Sequence, residues 1–365
     1  MRDVAVVGFA RSASAEPDPR NEVEILMPVI GEALNAAGLA KDRIGFVCSG
    51  SSDYLAGLPF SFVAALDAVG AWPPIRESHV EMDGAWALYE AWVRLQCGDV
   101  DTALVYAFGK PSNGDLLGEV LCLQLDPYYV APLWPDAVSL AALQARALLE
   151  GSHHTERDMA EVVARSRRDA AAGGPMGSGG PPHDVEQRAA VLPRVDDLLA
   201  EPYVAAPLRR HDCPSSNDGA AAVILAAGDL ARDLAERPAW ISGIDHRIEP
   251  HGLGTRNLAA SPSTTLAAKR AGLNGAAPDV AELHAPFSHQ ELILTDALGL
   301  DPSATRINPS GGALDGNPFM ATGLIRVGEA AARVMAGEAG LALAHATSGP
   351  CLQQNLVCLL GGTRP

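Results

Sequence analysis

The chain is poor in charge, and poorer still in positive charge. Only 19% of its 365 residues are charged, and 27 Lys and Arg stand against 44 Asp and Glu, a formal net charge of −17. A surface of that sign repels phosphodiester backbones and anionic headgroups, which excludes nucleic acid and acidic membranes as natural partners. Long apolar runs are absent as well; none reaches the roughly 18 residues that a membrane span requires. The opening segment, Met1 to Ala10, is a short strand pattern interrupted by Arg2 and Asp3 and does not read as a secretory leader. Paired cysteines are missing. Residues 48, 97, 122, 213, 351 and 358 contain no Cys-x-x-Cys pair and no metal-ligand spacing. They read as reduced, mostly buried thiols in a cytoplasmic protein, and no metal site is expected.

What is present is apolar. Hydrophobic residues make up 48% of the chain, and the length allows a large core in one or two domains. Val4 to Val7 reads as a buried strand, Asn21 to Ala37 as a helix, Ile44 to Ser49 as a strand and Leu58 to Gly70 as a helix. Gly84 to Cys97 is apolar on almost every side, the pattern of a helix enclosed within a protein. Thr102 to Ala107 follows as a strand. Strands alternating with helices predict a mostly parallel sheet covered on both faces.

The middle of the chain is different. Asp136 to Glu150 and Glu156 to Ala172 are helical, and Ala171 to Pro182 is a glycine/proline run expected to be a mobile surface loop. A core strand restarts at Asp218. From Trp240 a second βα series parallels the first: strand 240–244 matches strand 4–8, the helix after Gly323 matches the helix after Gly84, and strand 341–345 matches strand 102–107. Identity between the series is low, so the repeat is architectural.

Four motifs recur in a familiar order. The first is Asp212 to Asp218 followed by Gly-Ala-Ala-Ala. The second is Glu282-Leu-His284-Ala-Pro-Phe287. The third, Asn308 to Gly323, has the pattern Asn-x-x-Gly-Gly, then Gly-x-Pro and a later glycine. The fourth is Gly349-Pro-Cys351 running to Gly362. Together they resemble the thiolase superfamily, and within it the sterol-carrier-protein-x branch with its actinobacterial lipid-transfer-protein relatives. Asp245 to Gly254 and His345 to Gly349 carry the latter likeness. The resemblance covers essentially the whole chain. It implies an α/β thiolase fold, a five-layer αβαβα sandwich of two similar halves, 1–235 and 236–365, with a loop domain inserted at about 112–210. It also implies a homodimer, no tightly bound cofactor, and CoA as part of the substrate. Some members of that group resemble aldolases that cleave a β-hydroxyacyl-CoA of a steroid side chain with a small zinc-ribbon/OB-fold partner, forming a heterotetramer.

A thiolase needs a cysteine at a helix N-terminus as acyl acceptor, a histidine to activate it, a second acid/base cysteine, and an oxyanion hole. Counting back from the buried helix puts the nucleophile position at Glu81, or at Asp83 with a slip of two residues; no cysteine lies nearby. The histidine of Gly-His-Pro is Asn317, which keeps a donor but cannot exchange a proton near neutrality. His284, the enolate-stabilising histidine of the branch, is retained. That combination suits retro-aldol cleavage, which needs an enolate holder and a base but no nucleophile. On this reading His284 and Asn317 hold the enolate, Glu81 or Asp83 is the base, and Cys351 returns a proton to the α-carbon. Gly311, Gly312, Phe287 and His345 are expected to line the substrate site.

The residues also carry plainer readings. Asp83 before a helix is an N-cap, Glu81 a solvated carboxylate, Asn317 a turn former, His284 a satisfied structural histidine and Cys351 a buried thiol. Two other functions stay open: a non-catalytic thiolase-like scaffold in a heteromeric acyl-CoA complex, and an acetyl-CoA acyltransferase with an unusual nucleophile.

Overall fold

A computed structural model describes residues 2–14, 16–53, 60–70, 72, 74–113, 117–172 and 192–365. From residue 173 the glycine/proline run lies outside the described residues. The first half runs β1 (Val4–Ala13), α1 (Glu22–Ala36), β2 (Phe46–Gly50), α2 (Ser61–Val69), β3 (Glu77–Val80), α3 (Gly84–Gln96) and β4 (Thr102–Gly109). A mainly helical excursion follows: α4 (Leu117–Leu123), α5 (Ala137–Gly151), α6 (Glu156–Ala171), α7 (Val195–Ala200) and the antiparallel pair β5 (Tyr203–Ala205) and β6 (Leu208–Arg209). β7 (Gly219–Ala227) returns to the sheet, and α8 (Asp229–Leu234) leads onward. The second half is β8 (Ala239–Ile248), α9 (Pro262–Ala271), β9 (Val280–Leu283), α10 (Ser288–Leu298), β10 (Arg306–Ile307), α11 (Gly312–Asp315), α12 (Thr322–Met335), β11 (Leu341–Ser348) and β12 (Gln354–Gly361).

The ten main strands are ordered β10-β9-β11-β12-β8-β1-β7-β4-β2-β3. Read outward from the centre, the halves match: β1-β7-β4-β2-β3 on one side and β8-β12-β11-β9-β10 on the other. They meet at a seam of two residue pairs, Ala5 with Trp240 and Val6 with Ala239. The sheet is mixed rather than mostly parallel. β2 pairs in parallel with β3 and β4, as β9 does with β10 and β11. β7 runs antiparallel to β1 and β4, and β12 to β8 and β11. The alternation of strands and helices was a sound guide only for the outer strands. β11 and β12 are joined by five residues, too short for the helical crossover that a parallel pair demands.

Five layers result. One core cluster gathers side chains of α3 and α12 with residues from strands of both halves, so these two helices form the middle layer. A second packs α1 and α2 on the outer face of the first half, and a third packs α9 and α10 on that of the second. The expected thiolase-type sandwich is therefore present. α12 carries charge into the middle layer, and strands supply the partners: Arg326 meets Glu282 at 2.7 Å and Glu329 meets Arg11 at 2.5 Å. Burying charge is tolerable only with such pairing. Among the described residues no helix is long and apolar enough to cross a membrane.

Candidate active site

The N-termini of α3 and α12 meet, and Asp83 stands between them. It caps α3, with Oδ1 accepting the Ala85 N–H at 2.8 Å. It also reaches across the halves to cap α12, accepting from Gly323 N at 2.8 Å and Leu324 N at 3.1 Å. The Gly84 N–H completes the join by donating to the Met320 carbonyl at 2.7 Å. Such close approach explains two glycines. A Cβ on Gly84 would meet Ala107 Cβ and Leu324 Cβ, and one on Gly323 would strike the Asp83 carboxylate. Asp83 is 1% exposed. Burial pushes its carboxyl up to about 7, against the opposing pull of three backbone donors and Arg326. The simple N-cap reading of Asp83 is thus met, yet the capped carboxylate also faces a cavity.

That cavity has a volume of about 240 Å³. Asp83, His284 and Asn317 are among its polar lining groups, with Phe287 and Cys351 also in the wall. The inserted segment contributes an apolar side through Leu121, Leu125 and Leu140. His284 is held at the end of β9, where its Nδ1 accepts the Thr347 N–H at 3.3 Å. This acceptor role puts the ring proton on Nε2. Burial drives the His284 pKa down to about 3, so the ring is a neutral donor across the physiological range. The Asn317 amide lies against that ring. Its Oδ1 is engaged by the Thr322 hydroxyl at 2.9 Å, and its backbone N–H donates to Asn217 Oδ1 at 3.0 Å.

Two loops frame these groups. Asn308, in the left-handed region at φ 48, accepts the Leu283 N–H through Oδ1 at 2.6 Å and donates through Nδ2 to Glu291 at 2.7 Å. This anchors the glycine-rich loop to the β9 end that carries His284. Gly311 and Gly312 adopt φ 94 and φ 70 and turn the loop, but neither is among the lining residues. His345 lies behind the wall, fully buried, with Nε2 on Asn355 Oδ1 at 3.0 Å. Glu81 faces away from the cavity lining: it accepts the Asp53 N–H at 2.8 Å and stands 3.3 Å from His79 Nε2. Cys351 is a free, buried thiol whose Sγ donates to the Leu140 carbonyl at 3.4 Å, with its pKa pushed up to about 11 by burial.

Of the residues singled out in the sequence, the structure brings Asp83, His284, Asn317, Cys351 and Phe287 to one cavity and leaves Glu81, Gly311, Gly312 and His345 outside its lining. Sequence reasoning missed Thr347, whose backbone N–H orients His284, and Asn217, whose side-chain oxygen receives the Asn317 N–H, although both lie within motifs already noted. It also missed the apolar wall from α4 and α5, because leucines on helices signal only a core.

The architecture and this central helix pair define the thiolase fold. The human mitochondrial 3-ketoacyl-CoA thiolase structure superposes with a TM-score of 0.76 at 17% identity, covering 99% of each chain. An Ltp2-ChsH2(DUF35) aldolase structure superposes with a TM-score of 0.76 at 18% identity, covering 99% of this chain and 98% of that one. In sequence, an acetyl-CoA acetyltransferase of Methanothermobacter thermautotrophicus is 26% identical over 93% of this chain and 92% of its own. A 17-hydroxy-3-oxo-4-pregnene-20-carboxyl-CoA lyase of Mycobacterium tuberculosis is 25% identical over 67% of this chain and 63% of its own. No protein-family model matches. These similarities support a place in the thiolase superfamily.

Proposed function

We propose that the protein is a carbon–carbon lyase, a thiolase-like retro-aldolase that cleaves a β-hydroxyacyl-CoA thioester of a steroid side chain or an acid of similar bulk. One observation carries the reading. At the paired helix N-termini, where a thiolase needs a thiol, this chain has the Asp83 carboxylate, beside a neutral imidazole donor and an amide donor. The similarity to the Mycobacterium tuberculosis lyase and to the Ltp2-ChsH2(DUF35) aldolase supports it. The substrate brings its own CoA, and no tightly bound cofactor is invoked.

In this scheme Asp83 takes the β-hydroxyl proton. The Cα–Cβ bond breaks, leaving a ketone or aldehyde and the thioester enolate. His284 Nε2–H and Asn317 Nδ2–H hold the enolate oxygen, where donors fixed in advance act most strongly. The Cys351 thiol protonates the α-carbon, and the proton on Asp83 then restores the thiol. A thiol tied to a carbonyl and of raised pKa suits proton return and is a poor nucleophile. We further propose a homodimer working with a zinc-ribbon/OB-fold protein; the two-component make-up of the Ltp2-ChsH2(DUF35) aldolase supports a partner.

The test is incubation with steroidal and simple β-hydroxyacyl-CoA esters, with and without such a partner. Release of a carbonyl product with the shorter acyl-CoA is expected. The similarity to acetyl-CoA acetyltransferases keeps acyl transfer as the second reading. It requires an acyl adduct visible in the intact mass. Assembly with the partner but no turnover on any substrate would leave only a scaffold.

A further inference from the structure

The turn between β11 and β12 is bent hard. Gly349, Cys351 and Leu352 lie at φ 75, 55 and 58, so two residues bearing side chains occupy the left-handed region within one turn. Such conformations are strained for residues with side chains and persist only where surroundings over-determine them. Here the surroundings are specific. Arg256 Nη1 donates to the Cys351 carbonyl at 2.9 Å, and Nη2 to the Pro350 carbonyl at 2.8 Å. Asn355 Nδ2 donates to the Leu352 carbonyl at 2.8 Å, and Leu253 packs with Cys351 in one cluster. Arg256 forms no ion pair with a described carboxylate; both ends of its fork are spent on this one turn.

We infer that Arg256 is a positioning residue for the proton-return step: its guanidinium clamps the Pro350 and Cys351 carbonyls and so fixes the Cys351 thiol in the cavity wall. The inference rests on the lyase reading for its chemistry, but the clamp itself is independent of it. A planar fork on two successive carbonyls is a geometry that lysine cannot reproduce. The charge of the clamp also acts on the thiol, opposing the upward push of burial. Glu249 is the carboxylate whose charge acts on Arg256 from behind, and Cys122 is the neighbouring thiol in the cluster.

The experiment uses the full chain and two readouts. Iodoacetamide alkylation of Cys351, followed by peptide mass spectrometry across pH, reports the thiol without any substrate. Arg256→Gln should raise the midpoint by at least half a pH unit. Arg256→Lys keeps the charge and should move it less. Turnover of the β-hydroxyacyl-CoA should fall at least tenfold in kcat for both variants, with KM within about twofold. An unmoved midpoint in Arg256→Gln, or wild-type kcat in Arg256→Lys, would overturn the inference. If the wild type lacks lyase turnover while the midpoint shifts as stated, the clamp stands and the reaction assignment fails.

Discussion

Replacing Asp83 with Asn offers the sharpest test of the site. The carboxylate accepts three backbone N–H groups from two helices, and an amide of the same shape must turn an NH₂ toward at least one of them. Loss of one such bond with an orphaned donor costs about 1–3 kcal/mol. The pH dependence carries more information than that mean. The Asp83 carboxyl is raised from 3.8 to about 7 by burial. Between those values the folded chain holds a proton that the unfolded chain has lost. Stability from this group is therefore complete below about 3.8 and is lost as pH rises through about 7. Each pH unit inside that window is worth about 1.4 kcal/mol. With a sequence pI near 4.9, urea titrations are best made from pH 5.5 upward. Between pH 5.5 and 8, wild type should shed roughly 2 kcal/mol that D83N does not. The penalty of the substitution should shrink by that amount over the interval. A penalty constant within about 0.5 kcal/mol would show that Asp83 does not titrate there, and would remove its standing as a base poised near neutrality. In activity, D83N should cost about 10²–10⁴ in kcat, the usual range for a general base.

Other outcomes follow from the same geometry. His284→Ala should reduce kcat about 10²–10³-fold, as loss of an oxyanion donor does; wild-type pH profiles should show no ionisation from His284 between pH 5 and 9, because its pKa is held near 3. Gly323→Ala should cost several kcal/mol in urea unfolding, about the scale of a core overpacking error or more, since the new methyl meets Asp83 and Ala346. Glu81→Gln should leave turnover within about threefold, because that carboxylate bonds Asp53 and neighbours His79 outside the cavity lining.

The fold was legible because the repeat left its punctuation: a glycine in the first turn of each central helix, a strand after each, and a glycine-rich loop between. Strand direction was not legible, since a strand buried on both faces reads the same whichever way it runs; β7 and β12 show this. At the site, counting along the chain could not choose between Glu81 and Asp83. The choice lies in the turn after β3, which sends Asp83 between two helices and Glu81 toward Asp53. The glycine pair 311–312 and His345 drew attention through motif membership, but their work is in shaping and backing the loops rather than in lining the cavity. Arg256 carried no signal at all. Its role depends on a carbonyl pair 94–95 positions away.

The seam between the halves has a mechanical meaning. Two residue pairs are a slender weld for a ten-stranded sheet. What keeps the plates from sliding is the pair of pins driven through the middle, α3 and α12, with one carboxylate serving as the rivet across their heads. The chemistry proposed for Asp83 is thus sited at the joint bearing the molecule's alignment. Any change of that residue is at once a change of reagent and of fastening.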